Sequence, residues 1–258
     1  MKLNITRPLI VFDLETTGLD KIKDQIIQFA AIKVDVQKHK ILDSKNIFIQ
    51  PVGNYSISIQ AFFKHGINPD FLKDKPYFKD VAQEIFDFFI GCDILTYNGC
   101  SFDNSFLMSE FERIGVVWDP TNYVNYDAFL TEKRRNGNTL EESFKRYCGK
   151  TMTEAGLSAH DALSDVKATY AIFRHQNEIA PVEAEKILVA DNTISLMEFK
   201  DNLEPCFTLG KYKNIPVKYV NTIDKSYISW VLSDKSSFSI STKNFIKKLI
   251  DQNYANTN

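Results

Sequence analysis

The stretch Val11-Phe12-Asp13-Leu14-Glu15-Thr16-Thr17-Gly18-Leu19 follows an apolar run, residues 8–12, that is typical of a buried strand. Asp13 and Glu15 are two residues apart, so a strand directs both carboxylates to one face of the sheet. Two like charges in a buried setting are unfavourable unless a cation or a proton lies between them. Gly18 is expected to permit a turn conformation that other residues resist. The stretch predicts half of a metal site; the alternative is an edge strand with two solvated acids.

The composition of the whole chain is that of an ordinary globular protein. Its 258 residues are 44% hydrophobic and 25% charged, which allows one large domain or a domain with a small appendage. We expect no signal peptide and no membrane-spanning segment. The cysteines show no C-x-x-C pair, which indicates reduced thiols in a cytoplasmic protein. They are Cys92, Cys100, Cys148 and Cys206.

Positive charge is concentrated towards the C-terminus. Residues 1–199 carry 22 Lys and Arg against 28 Asp and Glu, a net charge of −6. Residues 200–258 carry 9 against 5, a net charge of +4. The tail is therefore the part whose charge favours contact with a nucleic acid.

Strand and helix patterns alternate along most of the chain. Strands are predicted at residues 8–15, 25–34, 41–49, 93–97 and 124–127. Helices are predicted at residues 78–89, 102–114, 140–147 and 160–176. Residues 51–76 are expected to be irregular. This order predicts an α/β fold: a mixed five-stranded sheet that begins as an antiparallel meander and has helices on both faces.

Two further polar clusters stand where a ligand could be reached. Asp103 is expected in the first turn of a helix, just after the strand that ends at Asn98. His160 and Asp165 fall at the start of the last of these helices. A lone histidine in such a place is more often a helix cap or a surface residue.

These clusters together carry a family resemblance. Residues 12–19, the motif Tyr97-Asn98-Gly99-Cys100-Ser101-Phe102-Asp103 and residues 160–165 resemble the three motifs of the DEDDh 3′-to-5′ exonucleases. That family includes the proofreading epsilon subunit of bacterial DNA polymerase III. The resemblance covers residues 8–177, and the H-x-x-x-x-D spacing is that of the histidine branch.

The resemblance implies a ribonuclease H-like fold and a defined reaction. Asp13, Glu15, Asp103 and Asp165 would hold two divalent metal ions, Mg²⁺ or Mn²⁺. His160 would be the general base, a role that its near-neutral pKa suits. Hydrolysis at the 3′ end of a strand would release nucleoside 5′-monophosphates.

Substrate contacts are also carried over from the family. The substrate is expected to be the single-stranded 3′ end of DNA, with RNA as an alternative. Phe106 could stack on a base, although its helical spacing also fits core packing. The positions that resemble the family's nucleotide-binding residues are Thr17, Leu19, His65, Gly66, Ile67, Asn98 and Phe106.

The tail is expected to form its own module. We assign residues 1–180 to the exonuclease domain, 181–205 to a linker with some helix, and 206–258 to a small basic α+β module. Residues 207–232 resemble the C-terminal module of exonuclease X-type proteins. Its Tyr212 and Trp230 would contact single strands, or the module is a packed cap with a core tryptophan. We predict that deleting residues 200–258 weakens DNA binding more than it slows turnover of a short oligonucleotide.

Three functions remain open from the sequence. The leading one is a DNA exonuclease that acts in repair or proofreading, with an association with a DNA polymerase and none with a membrane. An exoribonuclease that trims RNA belongs to the same class. A non-catalytic nucleic-acid-binding or polymerase-associated module belongs to another, and such a module has no use for four converging acids.

Overall fold

The computed structural model divides the chain into two compact units, Met1–Ala190 and Asp191–Asn258. It describes residues 3–100, 102–133, 136–158, 161–178, 189–190, 197–199, 205–207, 211–212, 215–233, 236, 243, 246–247 and 249–251. No helix in these ranges has the length and apolar character needed to cross a membrane.

One mixed sheet organises the first unit. In spatial order it comprises β3 (Lys40–Phe48), β2 (Ile26–Asp35), β1 (Leu9–Thr16), β4 (Asp93–Thr96), β5 (Asn125–Asp127) and β6 (Val189–Ala190). The first three strands form the predicted antiparallel meander, β4 and β5 run parallel to β1, and β6 pairs antiparallel with β5. The mixed five-stranded sheet is confirmed, with a two-residue strand added at its edge.

Helices cover both faces of this sheet, as predicted. The cluster that contains Leu9 and Val11 includes residues of the helix Ala162–Glu178, and the cluster that contains Ile10 and Phe12 includes residues of the helices Phe78–Phe89 and Asp103–Arg113. Because side chains alternate along β1, this one strand contributes to the apolar layers on both faces of the sheet. The helices are α1 (Ile59–His65), α2 (Pro69–Leu72), α3 (Phe78–Phe89), α4 (Asp103–Arg113), α5 (Leu140–Cys148) and α6 (Ala162–Glu178).

The expectation of irregular structure at residues 51–76 is wrong, because α1 and α2 lie there. Ser58 caps α1 by accepting a hydrogen bond from the backbone N–H of Ala61, and Asn68 caps α2 in the same manner. Gly66 ends α1 in the left-handed conformation, with φ of 68°. No residue of α1 is buried, so the helix lacks the apolar periodicity by which helices are recognised.

The second unit has the predicted α+β composition. Strands β7 (Met197–Phe199) and β8 (Pro205–Phe207) pair antiparallel and are followed by α7 (Val217–Ile223) and α8 (Lys225–Leu232). Within the predicted linker, for which some helix was expected, Met197–Phe199 form strand β7 instead. Most of the predicted linker, residues 181–205, lies outside the described residues. The core of this unit comprises Phe207, Val217, Val220, Ile228, Val231 and Ile246.

Candidate active site

The acids of β1 meet an acid of α6. One carboxylate oxygen from each of Asp13, Glu15 and Asp165 lies within 4.8 Å of the others. Asp103, at the start of α4, adjoins the cluster because its Oδ1 accepts a hydrogen bond of 3.0 Å from the backbone N–H of Leu14. The structure therefore gathers the four predicted acids from three elements at one end of β1.

The cluster is strained by its own charge. Burial raises the pKa of Asp13 well above its usual value, and the negative charges of Asp103, Glu15 and Asp165 raise it further. Burial likewise raises the pKa of Glu15 to about 7 and that of Asp103 to about 7. These acids resist simultaneous ionisation unless a cation joins them.

The donor set fits a divalent metal ion. Glu15 is 3% exposed, and its Oε1 is buried without a hydrogen-bond partner among the described residues. An orphaned carboxylate oxygen is costly unless a ligand satisfies it. Hard oxygen donors of this kind suit Mg²⁺ or Mn²⁺.

A cavity of about 510 Å³ opens beside the acids. Lys64 of α1 reaches this cavity, and the sequence interpretation did not include it. Nearby protein atoms partly desolvate the ammonium group of Lys64, which would lower its pKa although the residue keeps an exposed surface, but the charges of Glu15, Asp13, Asp103 and Asp165 raise the pKa. The cavity is lined by Asp13, Lys64, Tyr97, Asn98, Phe129, Asn138, Thr139, Leu140, Glu141, Met152, Asp165 and Thr169.

Asp127, at the end of β5, holds the second motif in place. Its carboxylate accepts hydrogen bonds from the backbone N–H groups of Asn98 at 2.7 Å, Cys100 at 3.3 Å and Phe129 at 3.0 Å. Asn98 has a left-handed φ of 64°, a strained conformation that these bonds support. Burial raises the pKa of Asp127 to about 6. Asp127 could have been found from its place at the carboxyl end of a parallel strand.

The turn after β1 is built around Asp24. Its Oδ1 accepts a hydrogen bond of 2.8 Å from Thr17 Oγ1, and its Oδ2 accepts one of 2.9 Å from the backbone N–H of Asp20. The expectation that Gly18 supplies a special backbone angle is wrong, because its φ is not left-handed. Gly18 is required for space, since a Cβ there would collide with the Asp24 carboxylate.

This turn, which follows the strand that carries Asp13 and Glu15, presents an apolar side chain to solvent. Leu19 is 82% exposed, although the backbone that carries it is well anchored. Arg113 Nη2 donates to the carbonyl oxygens of Lys21, Ile22 and Asp24 at 3.0, 3.0 and 2.7 Å. Arg113 thereby fixes the turn from α4, a contact that no local sequence signal indicates.

Of the other predicted substrate residues, three form a turn at the end of α1 and one lies in the core. His65 Nδ1 accepts a hydrogen bond of 2.9 Å from the backbone N–H of Ile67, which closes a compact turn around Gly66. Phe106 is 1% exposed and packs against Phe102 with ring centroids 4.7 Å apart, as the core alternative for this residue expects.

The predicted general base, His160, lies outside the described residues. Its neighbour Asp161 caps the start of α6, because its Oδ2 accepts hydrogen bonds from the backbone N–H and the hydroxyl of Ser164 at 3.1 and 2.7 Å. The backbone N–H of Asp165 donates to the carbonyl oxygen of Asp161 at 2.9 Å. The first turn of α6 therefore fixes the backbone that carries the fourth acid.

In the second unit, part of the basic and aromatic surface is used internally. Asp224 Oδ2 accepts hydrogen bonds from Lys211 Nζ at 3.0 Å and from the Tyr212 hydroxyl at 2.7 Å. Trp230 is 44% exposed and lies 5.5 Å from Tyr227 between ring centroids. Trp230 is therefore partly accessible to solvent, whereas the Tyr212 hydroxyl is engaged within the module.

Comparison with known proteins gives consistent relatives. The family model described as Exonuclease matches residues 10–173, more than half of the chain. DNA polymerase III subunit epsilon of Salmonella typhimurium (strain LT2) is 34% identical over 183 residues, covering 67% of this chain and 72% of that protein. The epsilon subunit of Buchnera aphidicola is 32% identical over 155 residues, covering 56% of this chain and 65% of that protein.

Two further matches cover smaller parts of longer proteins. DNA polymerase III PolC-type of Caldanaerobacter subterraneus is 31% identical over 170 residues, covering 64% of this chain and 11% of that protein. Escherichia coli exonuclease I, solved in complex with a dA16 oligonucleotide, has a TM-score of 0.56 at 22% identity, covering 68% of this chain and 42% of that one. The latter likeness shows the fold. From the family match and the epsilon relatives, we conclude that this chain belongs to the DEDDh exonuclease family.

Proposed function

We propose that this chain is a metal-dependent 3′-to-5′ exonuclease that acts on DNA and releases nucleoside 5′-monophosphates. The observation that carries this proposal is the approach of Asp13, Glu15 and Asp165, whose carboxylate oxygens lie within 4.8 Å of one another. Partly or fully buried acids in such proximity are costly to ionise, so a bound cation would explain their convergence. Membership of an exonuclease family supports phosphodiester hydrolysis as the reaction.

The four acids would hold two divalent ions, Mg²⁺ or Mn²⁺. When bound, such ions activate water as a nucleophile and stabilise the negative charge of the leaving 3′-oxygen. The backbone N–H of Leu14 orients the carboxylate of Asp103, and Glu15 offers an oxygen that no described protein group satisfies. We assign to His160 the removal of a proton from the attacking water.

The substrate would enter as a single-stranded 3′ end. Thr17, Leu19, Asn98 and the turn from His65 to Ile67 are proposed to contact the terminal nucleotide. The exposure of Leu19 supports contact with an apolar base face. The epsilon-subunit relatives support proofreading or repair, and with it an association with a DNA polymerase. The exonuclease I neighbour was solved with a DNA oligonucleotide, which favours DNA over RNA as the first substrate to test.

Incubation of a 3′-labelled single strand with Mg²⁺, with Mn²⁺ and with EDTA tests the reaction. We expect mononucleotide release with either metal ion and none with EDTA. Asp13→Asn, which keeps the size of the side chain, is expected to lower the rate by more than about 10³-fold. Metal-independent release, or full activity of this variant, would overturn the proposal.

Matched DNA and RNA strands in the same assay distinguish the two enzymatic alternatives. Faster release from DNA is expected; faster release from RNA would make the chain an exoribonuclease. Binding of either strand without any release would instead favour a non-catalytic module.

A further inference from the structure

Lys64 brings a positive charge into a cavity that is otherwise organised around carboxylates. It precedes His65 on α1 and lines the same cavity as Asp13 and Asp165. Helix α1 is anchored to the end of β1, since the backbone N–H of Ser58 donates to the carbonyl oxygen of Thr17 at 2.8 Å. The backbone of α1 that carries Lys64 is therefore held in place beside the cavity.

The ammonium group of Lys64 stays available to an anion. The side chain is exposed, and within the described part of the chain no carboxylate comes within the 4.0 Å of an ion pair with it. Other lysines of this region are engaged elsewhere: Lys73 pairs with Asp70 at 2.6 Å, and Lys75 lies 4.1 Å from the centre of the Phe71 ring. Lys64 differs from both because the acids attract its charge through the electrostatic field of the cavity, without a direct ion pair among the described residues.

We propose that Lys64 binds a backbone phosphate of the substrate, and that its charge also weakens the binding of divalent ions by the acids. In the metal-free protein, the ammonium group offsets part of the negative charge of the cluster. With divalent ions held by the acids, the ammonium group of Lys64 would no longer be attracted to them and would pair with a non-bridging phosphate oxygen of the strand. A lysine suits this role because it is a compact charge on a flexible stem. This inference rests on the proposed function.

Salt dependence of DNA binding tests the phosphate contact. A labelled single strand is titrated into the full chain with Ca²⁺ in place of Mg²⁺, over a range of salt concentrations. Because one lost phosphate contact on a single strand changes the slope of log K against log salt by about 0.7, Lys64→Met should reduce the slope by that amount. Lys64→Arg, which keeps the charge, should restore the slope.

Lys38→Met is the matched control. Lys38 lies in the turn between β2 and β3 and pairs with Asp35 at 3.4 Å, so its loss removes one charge without touching the cleft. The slope of this variant should equal that of the wild type. An unchanged slope in Lys64→Met, or an equal loss in Lys38→Met, would overturn the phosphate contact.

Titration with Mn²⁺ in the absence of DNA tests the second half of the proposal. Removal of the competing charge should make the Mn²⁺ affinity of Lys64→Met roughly three- to tenfold tighter than that of the wild type. Equal or weaker Mn²⁺ binding would overturn the competition. Neither titration requires turnover, so a wild-type protein that fails to degrade DNA would refute the proposed function separately.

Discussion

At the scale of single residues, Gly99 determines whether Asp103 can reach its place. A Cβ at this position would lie 2.7 Å from Asp103 Oδ2 and 2.5 Å from the Thr96 Cβ, so the loop and the acid cannot both keep their positions. We predict that Gly99→Ala weakens Mn²⁺ binding by about 10- to 100-fold, the effect typical of lost support behind a metal ligand. The overpacking should also lower the free energy of unfolding by about 1–3 kcal/mol.

Calorimetric Mn²⁺ titration and thermal unfolding measure the two effects of Gly99→Ala. Gly53→Ala is the control, because Gly53 has a left-handed φ of 78° but open space around its Cβ position. It should cost about 1 kcal/mol of stability through backbone strain and leave Mn²⁺ affinity unchanged. Wild-type Mn²⁺ affinity in Gly99→Ala would show that Asp103 is not a ligand held by this contact.

At the scale of elements, α4 supports the turn that follows β1. Arg113 bonds three carbonyl oxygens of that turn and pairs with the buried carboxylate of Glu110 at 2.8 Å. We predict that Arg113→Ala raises the KM for a single strand several-fold and changes kcat little. The reason is that the turn carries the proposed nucleotide contacts Thr17 and Leu19, whereas the acids are held by β1, α4 and α6.

Steady-state kinetics of the variant, with a stability measurement, check this prediction for Arg113. The double variant Glu110→Gln with Arg113→Ala removes the unpaired buried charge but keeps an oxygen to accept the bond from the Ile26 N–H. It should recover stability and keep the raised KM. If the double variant recovered the wild-type KM together with the wild-type stability, the turn would have no part in binding the substrate.

At the scale of the whole molecule, the acid cluster links stability to pH and to metal ions. The pKa values of Glu15 and Asp103 are raised to about 7, and that of Asp13 is also raised, so the folded protein binds more protons than the unfolded one between pH ~4 and pH ~7. This contribution to stability is present at low pH and is lost as the pH rises through 7. We predict that, in EDTA, the effect of the cluster is to lower the Tm at pH 8 relative to pH 5.5.

Thermal unfolding at the two pH values, with EDTA or with Mn²⁺, measures this linkage. Mn²⁺ should raise the Tm more at pH 8 than at pH 5.5, because it binds the ionised acids. Asp13→Asn should reduce the difference between the two pH values in EDTA. A pH response identical to that of the wild type in this variant would place the origin of the linkage outside the cluster.

The sequence was most informative where a local pattern meets a buried face. Helix α3 begins and ends as predicted, because its apolar residues recur at helical spacing and pack into the core. Strand alternation likewise predicted that Asp13 and Glu15 lie on one face of the sheet. The family motifs predicted that Asp103 and Asp165 lie near them.

Local sequence patterns were uninformative where a feature depends on contacts between distant residues, or where the side chains of a helix are exposed. Helix α1 was missed because its large apolar side chains face solvent, with Phe63 82% exposed. Lys64 was missed because its meaning depends on acids that are brought together only by the fold. The role of Arg113 depends on carbonyl oxygens about 90 residues away in the chain, which no short-range signal reveals.

The acids come from β1, α4 and α6, so the site combines the first strand of the sheet with a helix that lies far away in the chain. During synthesis, a nascent chain that ends before α6 lacks Asp165 and cannot assemble the whole set. We therefore expect a product that terminates before α6 to lack the exonuclease activity proposed for the complete set of acids.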